Sequence, residues 1–169
     1  MRYLKKKYET PMRPWDRQRI EEERATLAQY GLKNKRELWR AQGELRKFRR
    51  LARLLAARSN KAQEQLIVDK LVKLGILEQG SGLDDILALT PQKFLDRRLQ
   101  TVIQRKGIAN TVKHARQMIV HGHVRVGERK VVYPSYLVSR GEESLITKVV
   151  AAKRAPKVES NNAEEEAGN

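Results

Sequence analysis

Cysteine is absent from this chain of 169 residues, which excludes a disulfide framework, a thiolate-held zinc and a thiol redox couple. Long apolar runs are missing too. The longest stretch without a charged residue is 131–139, nine residues interrupted by Pro134. A membrane-spanning helix needs about 18 or more, so no span is expected. The opening residues MRYLKKKYETPMRPW hold no apolar segment after their lysines and do not read as a secretory signal. Aromatic residues reach only 5%, against 33% charged. Negative charge is also short, with 20 Asp and Glu facing 36 Lys and Arg for a formal net charge of +16. A field of that strength repels itself unless a polyanion neutralises it. A freely diffusing enzyme for neutral metabolites fits poorly, and nucleic acid in a reducing compartment is the first-order reading. The length suits one compact domain or two small ones, since cores close at about 100–200 residues.

The positive charge falls into two blocks. Residues 1–58 carry 18 basic and 7 acidic side chains, and residues 91–140 carry 11 and 2. The intervening 59–90 is near neutral and leucine-rich, with 3 basic and 5 acidic residues. Residues 141–158 hold 4 and 2, and 159–169 hold none and 4. That last segment, ESNNAEEEAGN, lacks aromatic and β-branched residues and is expected to be a disordered acidic tail.

Pro11 and Pro14 prevent an early helix, so the residues around Lys5-Lys6-Lys7 predict an extended arm. A first helix is predicted from an Asp16 cap to Tyr30, stopped by Gly31. A longer helix is predicted over Lys35–Arg58, with Leu38, Ala41, Leu45, Phe48, Ala52 and Leu55 forming one apolar stripe. Arg46, Lys47, Arg50 and Arg53 fall on the opposite half, together with Arg36, Arg40 and Arg58. No acid occurs between Leu45 and Gln63, where seven basic residues, Arg49 among them, crowd together. A solvated helix face normally mixes signs for i,i+4 pairing. An unmixed face asks for an external anion, so Arg46, Lys47, Arg49, Arg50 and Arg53 are candidate phosphate contacts. Trp39 lies on the basic half and is expected to pack within the protein. Asn60 and Gln63 read as a capping box before a short helix ending at Leu74 and stopped by Gly75. Gly80-Ser81-Gly82 reads as a loop, and Asp84-Asp85 as the start of a helical turn.

From Thr90 a helix is predicted over 90–106, with Pro91 at its first position and Gly107 as its stop. Leu95, Leu99, Val102 and Ile103 face inward, while Arg98, Thr101 and Arg105 line an adjacent stripe with Arg97 at its edge. Asn110 reads as the cap of a short helix over 111–121, stopped by Gly122. Val112, Ala115 and Ile119 form its core face, and Lys113, His114, Gln117 and His121 point outward. Arg116 lies at the flank, where a long side chain buries its stem and still reaches a phosphate. After Gly122 the period becomes two. His123, Val124, Arg125 and Val126 lead through Gly127-Glu128 into a hairpin whose Gly-first turn suits type II′. Residues 145–150 read as a further strand. The fold class is α+β: a basic, mainly helical N-terminal body (1–90) and a module (91–158) of two helices packed on a small curved antiparallel sheet, with a disordered acidic C-terminal tail (159–169). The short helix would offer backbone N–H groups and its positive dipole end to a phosphate. Arg97, Arg98, Arg105, Lys106, Lys113, Arg116 and Arg125 surround that point. Asn110, Thr111, His114, Gln117, His121 and His123 complete the candidate RNA-binding set.

The stretch RRLQTVIQRKGIANTVKHARQMIVHGHVRVGERKVVYPSYLV, residues 97–138, resembles the S-four RNA-binding domain. It shares the basic helix, the glycine stop, the capped short helix with an Ala-Arg pair, and a Gly-x-Val-x-Val lead into a hairpin. The turn Gly127-Glu128 departs from the more usual Asn-Gly. The preceding YGLKNKRELWRAQGELRKFRRLARLL, residues 30–55, is similar to the helical body of small-subunit ribosomal protein four in its archaeal and eukaryotic form. Together the likeness covers roughly residues 1–150. It implies a cytoplasmic structural constituent of the small ribosomal subunit that binds small-subunit ribosomal RNA at a multi-helix junction and nucleates assembly of the subunit body. It also implies a place beside ribosomal protein five of the small subunit, near the messenger entrance, with an influence on decoding accuracy. Bacterial members often hold an N-terminal zinc through cysteines, which this chain lacks, so no metal is implied.

Other classes fit less well. His114, His121 and His123 invite a zinc reading, yet such a site wants three or four ligands, normally including carboxylate or thiolate. Asp84-Asp85 and Glu142-Glu143 have no environment to split their pKa values for acid–base work. No Gly-rich phosphate loop or nucleophile elbow is present. An RNA-modifying enzyme would need a catalytic domain where only a basic helical block precedes the module. A free-standing RNA-binding stress or ribosome-rescue factor is the nearest alternative. No cofactor, small-molecule substrate or membrane partner is expected.

Overall fold

The structure, a computed structural model, describes residues 6–58 and 61–149. The Lys5 end of the arm, the Asn60 cap, the far end of the last strand at Val150 and the tail at 159–169 lie outside the described residues.

Helix α1, Arg17–Gln29, follows Asp16, whose backbone is extended as an N-cap requires but whose side chain makes no capping bond. Helix α2, Lys35–Arg58, buries Leu38, Leu45, Ala52 and Leu55, with Ala41 and Phe48 half-buried between them, as the apolar stripe requires. Helix α3, Lys61–Lys73, turns fully buried Leu71 inward. It is followed by Gly75 at φ 71, the left-handed stop that closes a helix. The short α4, Leu83–Ala88, begins where the Asp85 carboxylate accepts the Gly82 N–H at 2.8 Å. These elements close two joined cores. One gathers Leu45, Ala52, Leu71, Ile76, Leu77, Ile86, Leu89 and Phe94, and the other Tyr30, Leu32, Leu38 and Leu95.

The helix expected over 90–106 is broken. Helix α5, Pro91–Asp96, is separated from α6, Leu99–Arg105, by a corner at Arg97 and Arg98, where the Arg98 backbone is extended at φ −70, ψ 141. The apolar spacing continues through this corner, so the sequence shows no interruption. Tertiary hydrogen bonds decide it. Leu99 N–H donates to Tyr136 C=O at 2.8 Å, Val138 N–H donates to Arg97 C=O at 2.9 Å, and Arg98 bridges Leu137 in antiparallel fashion. Segment 136–138 thus satisfies backbone groups that a continuous helix would have paired internally. Phe94 and Leu95 of α5 pack into the body's cores.

Beyond the corner, α6 and α7, Val112–Val120, pack on a three-stranded sheet. Strand β1, Val124–Val126, lies between β2, Arg129–Lys130, and β3, Ile146–Lys148, both antiparallel to it. The one-turn helix α8, Arg140–Glu143, leads into β3. Leu99, Val102, Ile103, Ala115, Ile119, Val124 and Val138 are buried in one cluster. The expected Asn110 cap is shifted by one residue. The Thr111 hydroxyl accepts the His114 N–H at 3.1 Å while Asn110 stays exposed. Either side chain can cap, and the helix begins at Val112 rather than at Thr111.

Candidate nucleic-acid interface

On the module, alternation along β1 turns Val124 and Val126 inward and Arg125 outward. Arg125 lies opposite Lys130 on one side and Thr147 on the other, so these three share the outer face of the sheet. The Lys130 stem lies against Gly122 so closely that a Cβ there would overlap it. This places the ammonium beside the α7–β1 turn. His121 and His123 flank that turn with rings 6.3 Å apart. Lys113, His114 and Gln117 are exposed on α7, and Asn110 and Thr111 stand at its N-terminal end, where the dipole is positive. The structure therefore gathers Arg125, His121 and His123 at the outer sheet and turn, with the exposed face of α7 directly preceding them in sequence. Lys130 joins them, a residue the sequence did not single out. Its signal was the hairpin register: with Gly127-Glu128 as a two-residue turn, Lys130 must pair with Arg125.

On the body, α2 presents a second basic face. Arg50 and Arg53 are exposed, with no carboxylate partner among the described residues. Arg46 pairs with Glu9 of the arm, and Lys47 with Glu44 at 3.0 Å, both on the surface. Arg49 is turned inward, half-buried, with its guanidinium donating to Leu89 C=O. Its position on the helix, between the basic and apolar halves, explains why charge alone did not separate it from Arg50.

Arg97, Arg98 and Arg116 take a different place from the one expected. Only 7% of Arg97 and 6% of Arg98 is exposed. The Arg97 guanidinium donates to Val138 C=O at 2.9 Å and to Glu143 at 2.9 Å. Arg98 donates to Glu37 of α2 at 2.6 Å, and Arg116 reaches both oxygens of the same carboxylate at 2.7 and 3.2 Å. Burial alone would raise the Glu37 pKa. The Arg116 hydrogen bond and the charge and hydrogen bond of Arg98 outweigh it and hold the carboxyl below its ordinary value. Gln100, also buried, donates to Tyr30, Gly31 and Val112 carbonyls at 3.1–3.3 Å and accepts from Arg116. Nearby, Tyr30 donates to Asp96 at 3.0 Å; burial, together with that bond, pushes its hydroxyl up to about 12. Arg105 stands 3.6 Å from Asp96 on the surface, and Lys106 donates to Glu143 C=O. The arginines expected around a phosphate thus include three that fasten the module to the body and to its own last turn.

Trp39 packs within the protein, as expected. Its indole donates to buried Glu23 at 2.9 Å, and its ring centroid lies 6.1 Å from that of Tyr8. Among the described residues no cluster of His, Asp and Glu is arranged to hold a metal ion, and no helix is long and apolar enough to cross a membrane.

The S4 domain family matches residues 97–144. A protein of Methanothermobacter thermautotrophicus named small ribosomal subunit protein uS4 is 48% identical over 149 residues, covering 86% of each chain. The chain belongs to the uS4 family. A uS4 protein of Sulfurisphaera tokodaii is 47% identical over 146 residues, 84% of this chain and 82% of the other. One of Saccharolobus islandicus is 45% identical over 170 aligned positions, 97% of this chain and 94% of the other. In this uS4-family chain the S4 domain begins at Arg97, at the corner between α5 and α6, and ends just after α8.

Proposed function

We propose that this chain is a structural constituent of the small ribosomal subunit, working in the cytoplasm as a primary binder of small-subunit ribosomal RNA. It stabilises a multi-helix RNA junction, nucleates assembly of the subunit body and contributes to decoding accuracy, beside ribosomal protein five of the small subunit and near the messenger entrance. Its role is binding rather than catalysis. The observation that carries this reading is the family match to uS4 proteins over most of the chain.

The geometry supplies a mechanism. A-form RNA is recognised mostly by shape, backbone and 2′-OH contacts, because its major groove is too narrow to read. Exposed cations on a fixed scaffold suit that task. Arg46, Lys47, Arg50 and Arg53 form the body's contact face. Lys113, His114, Gln117, His121, His123, Arg125 and Lys130 form that of the module, with Arg105, Lys106, Asn110 and Thr111 at its border. Glu37 holds the two faces at one relative orientation through Arg98 and Arg116. Converging RNA strands repel each other, and a body with two fixed basic faces neutralises both at once. Arg97, Arg98 and Arg116 serve by fixing that geometry. The test is sedimentation of cell extract through high-salt sucrose. The chain is expected to remain with small subunits at about one copy each; release into the supernatant would favour a transient RNA-binding factor instead.

A further inference from the structure

The two most exposed large apolar side chains among the described residues are neighbours: Met12, 98% exposed, and Trp15, 80% exposed. Single exposed apolar groups need no explanation. This pair differs in sitting on a loop pinned at both ends. On one side the Tyr8 ring lies 6.1 Å from that of Trp39, with the Arg36 guanidinium 5.8 Å over Tyr8. Glu9 pairs with Arg46 of α2. On the other side the Arg19 guanidinium donates to Arg13 C=O at 2.6 Å and to buried Glu23 at 3.1 Å. Pro11 and Pro14 fix their own φ angles in between. The backbone that carries Trp15 is thereby anchored, and less chain entropy is left to lose when something covers the ring.

We propose that Trp15 is a stacking platform for an unpaired RNA base. The unpaired cations of the loop that carries the ring select that occupant over an apolar protein surface. Arg13, two residues before Trp15, is exposed and pairs with no carboxylate among the described residues; exposed Lys6 and Lys7 precede the Tyr8 anchor, and Arg50 and Arg53 lie further along α2 beyond the Glu9 anchor. An exposed indole on a loop that also carries unpaired cations matches a nucleotide, whose base offers a π-face and whose phosphates offer the anions. The inference rests on the ribosomal RNA reading above and adds to it a base contact that backbone electrostatics cannot supply.

The full chain, its Trp15→Ala variant and its Trp15→Phe variant are titrated with small-subunit ribosomal RNA at fixed salt. The substitutions touch an exposed ring, and thermal melts verify that the fold is kept. Base stacking lost by alanine substitution corresponds to about a 5- to 150-fold loss of affinity. That loss is expected for Trp15→Ala, with phenylalanine restoring most of it and the salt dependence unchanged in both. Acrylamide quenching gives a second readout: bound RNA is expected to shield an accessible tryptophan in the wild-type chain, and this change is expected to vanish in Trp15→Phe. Equal affinity of Trp15→Ala and wild type, or a Trp15 that stays accessible in the complex, would overturn the platform and leave the ribosomal RNA reading standing. A wild-type chain that fails to bind the RNA would overturn both.

Discussion

Glu37 shows how a single residue changes the meaning of its neighbours. It is the first-turn acid of a strongly basic helix, and it pairs with both Arg98 and Arg116, 61 and 79 residues away in the chain. Removing one partner of a buried pair leaves an uncompensated charge and costs about 3–5 kcal/mol when burial is complete. Glu37 retains some solvent contact, so Glu37→Gln is expected to lose about 2–3 kcal/mol in urea unfolding, against almost no loss for Glu21→Gln on the surface of α1. The sign of the pH dependence follows. A carboxyl held below its ordinary 4.5 contributes fully above that value and loses its contribution as pH falls through the folded pKa. Wild type and Glu37→Gln should therefore converge in stability as pH drops below about 4.5. Sequence could place Arg125 and Lys113 at the surface, because strand and helix periods set their direction. It could not separate Arg98 from Arg50, since both are unpaired arginines until the fold brings Glu37 to one of them.

At the level of elements, what was legible depended on where the deciding hydrogen bonds lay. Helix α2 was legible from end to end because its stripe and its charge are both local. The corner between α5 and α6 was not, because its cause lies some forty residues downstream in segment 136–138. The same corner explains Gly75. A Cβ there would come within 3.0 Å of the Arg97 guanidinium carbon, at a φ of +71 that side chains avoid. Gly75→Ala is expected to cost about 2 kcal/mol, combining roughly 1–2 kcal/mol of backbone strain with displacement of Arg97. A thermal melt unchanged from wild type would show that the turn tolerates a side chain. On α2, Arg46, Arg50 and Arg53 changed together to Ala are expected to weaken RNA binding with helical circular dichroism intact. If helicity falls while the soluble fraction binds as before, that face is structural.

For the whole molecule, the +16 charge becomes informative through its division. Part of it is consumed internally by Glu37, Glu143 and Asp96, and the rest is displayed on a helical body and on a small module locked to it. A single basic patch would suit almost any nucleic-acid binder. Two faces held rigidly suit folded RNA whose strands converge, and each should add its own counterion release. The direct measurement is a salt titration of binding to small-subunit ribosomal RNA by wild type and by two triple-alanine variants, Arg46/Arg50/Arg53 and Lys113/Arg125/Lys130. If about eight phosphates are engaged, log affinity should fall with log salt at a slope near −6 to −7, and each variant should be shallower by about 2–3. A wild-type slope near −2, or a variant of either face that binds with the wild-type slope and affinity, would contradict a two-faced clamp.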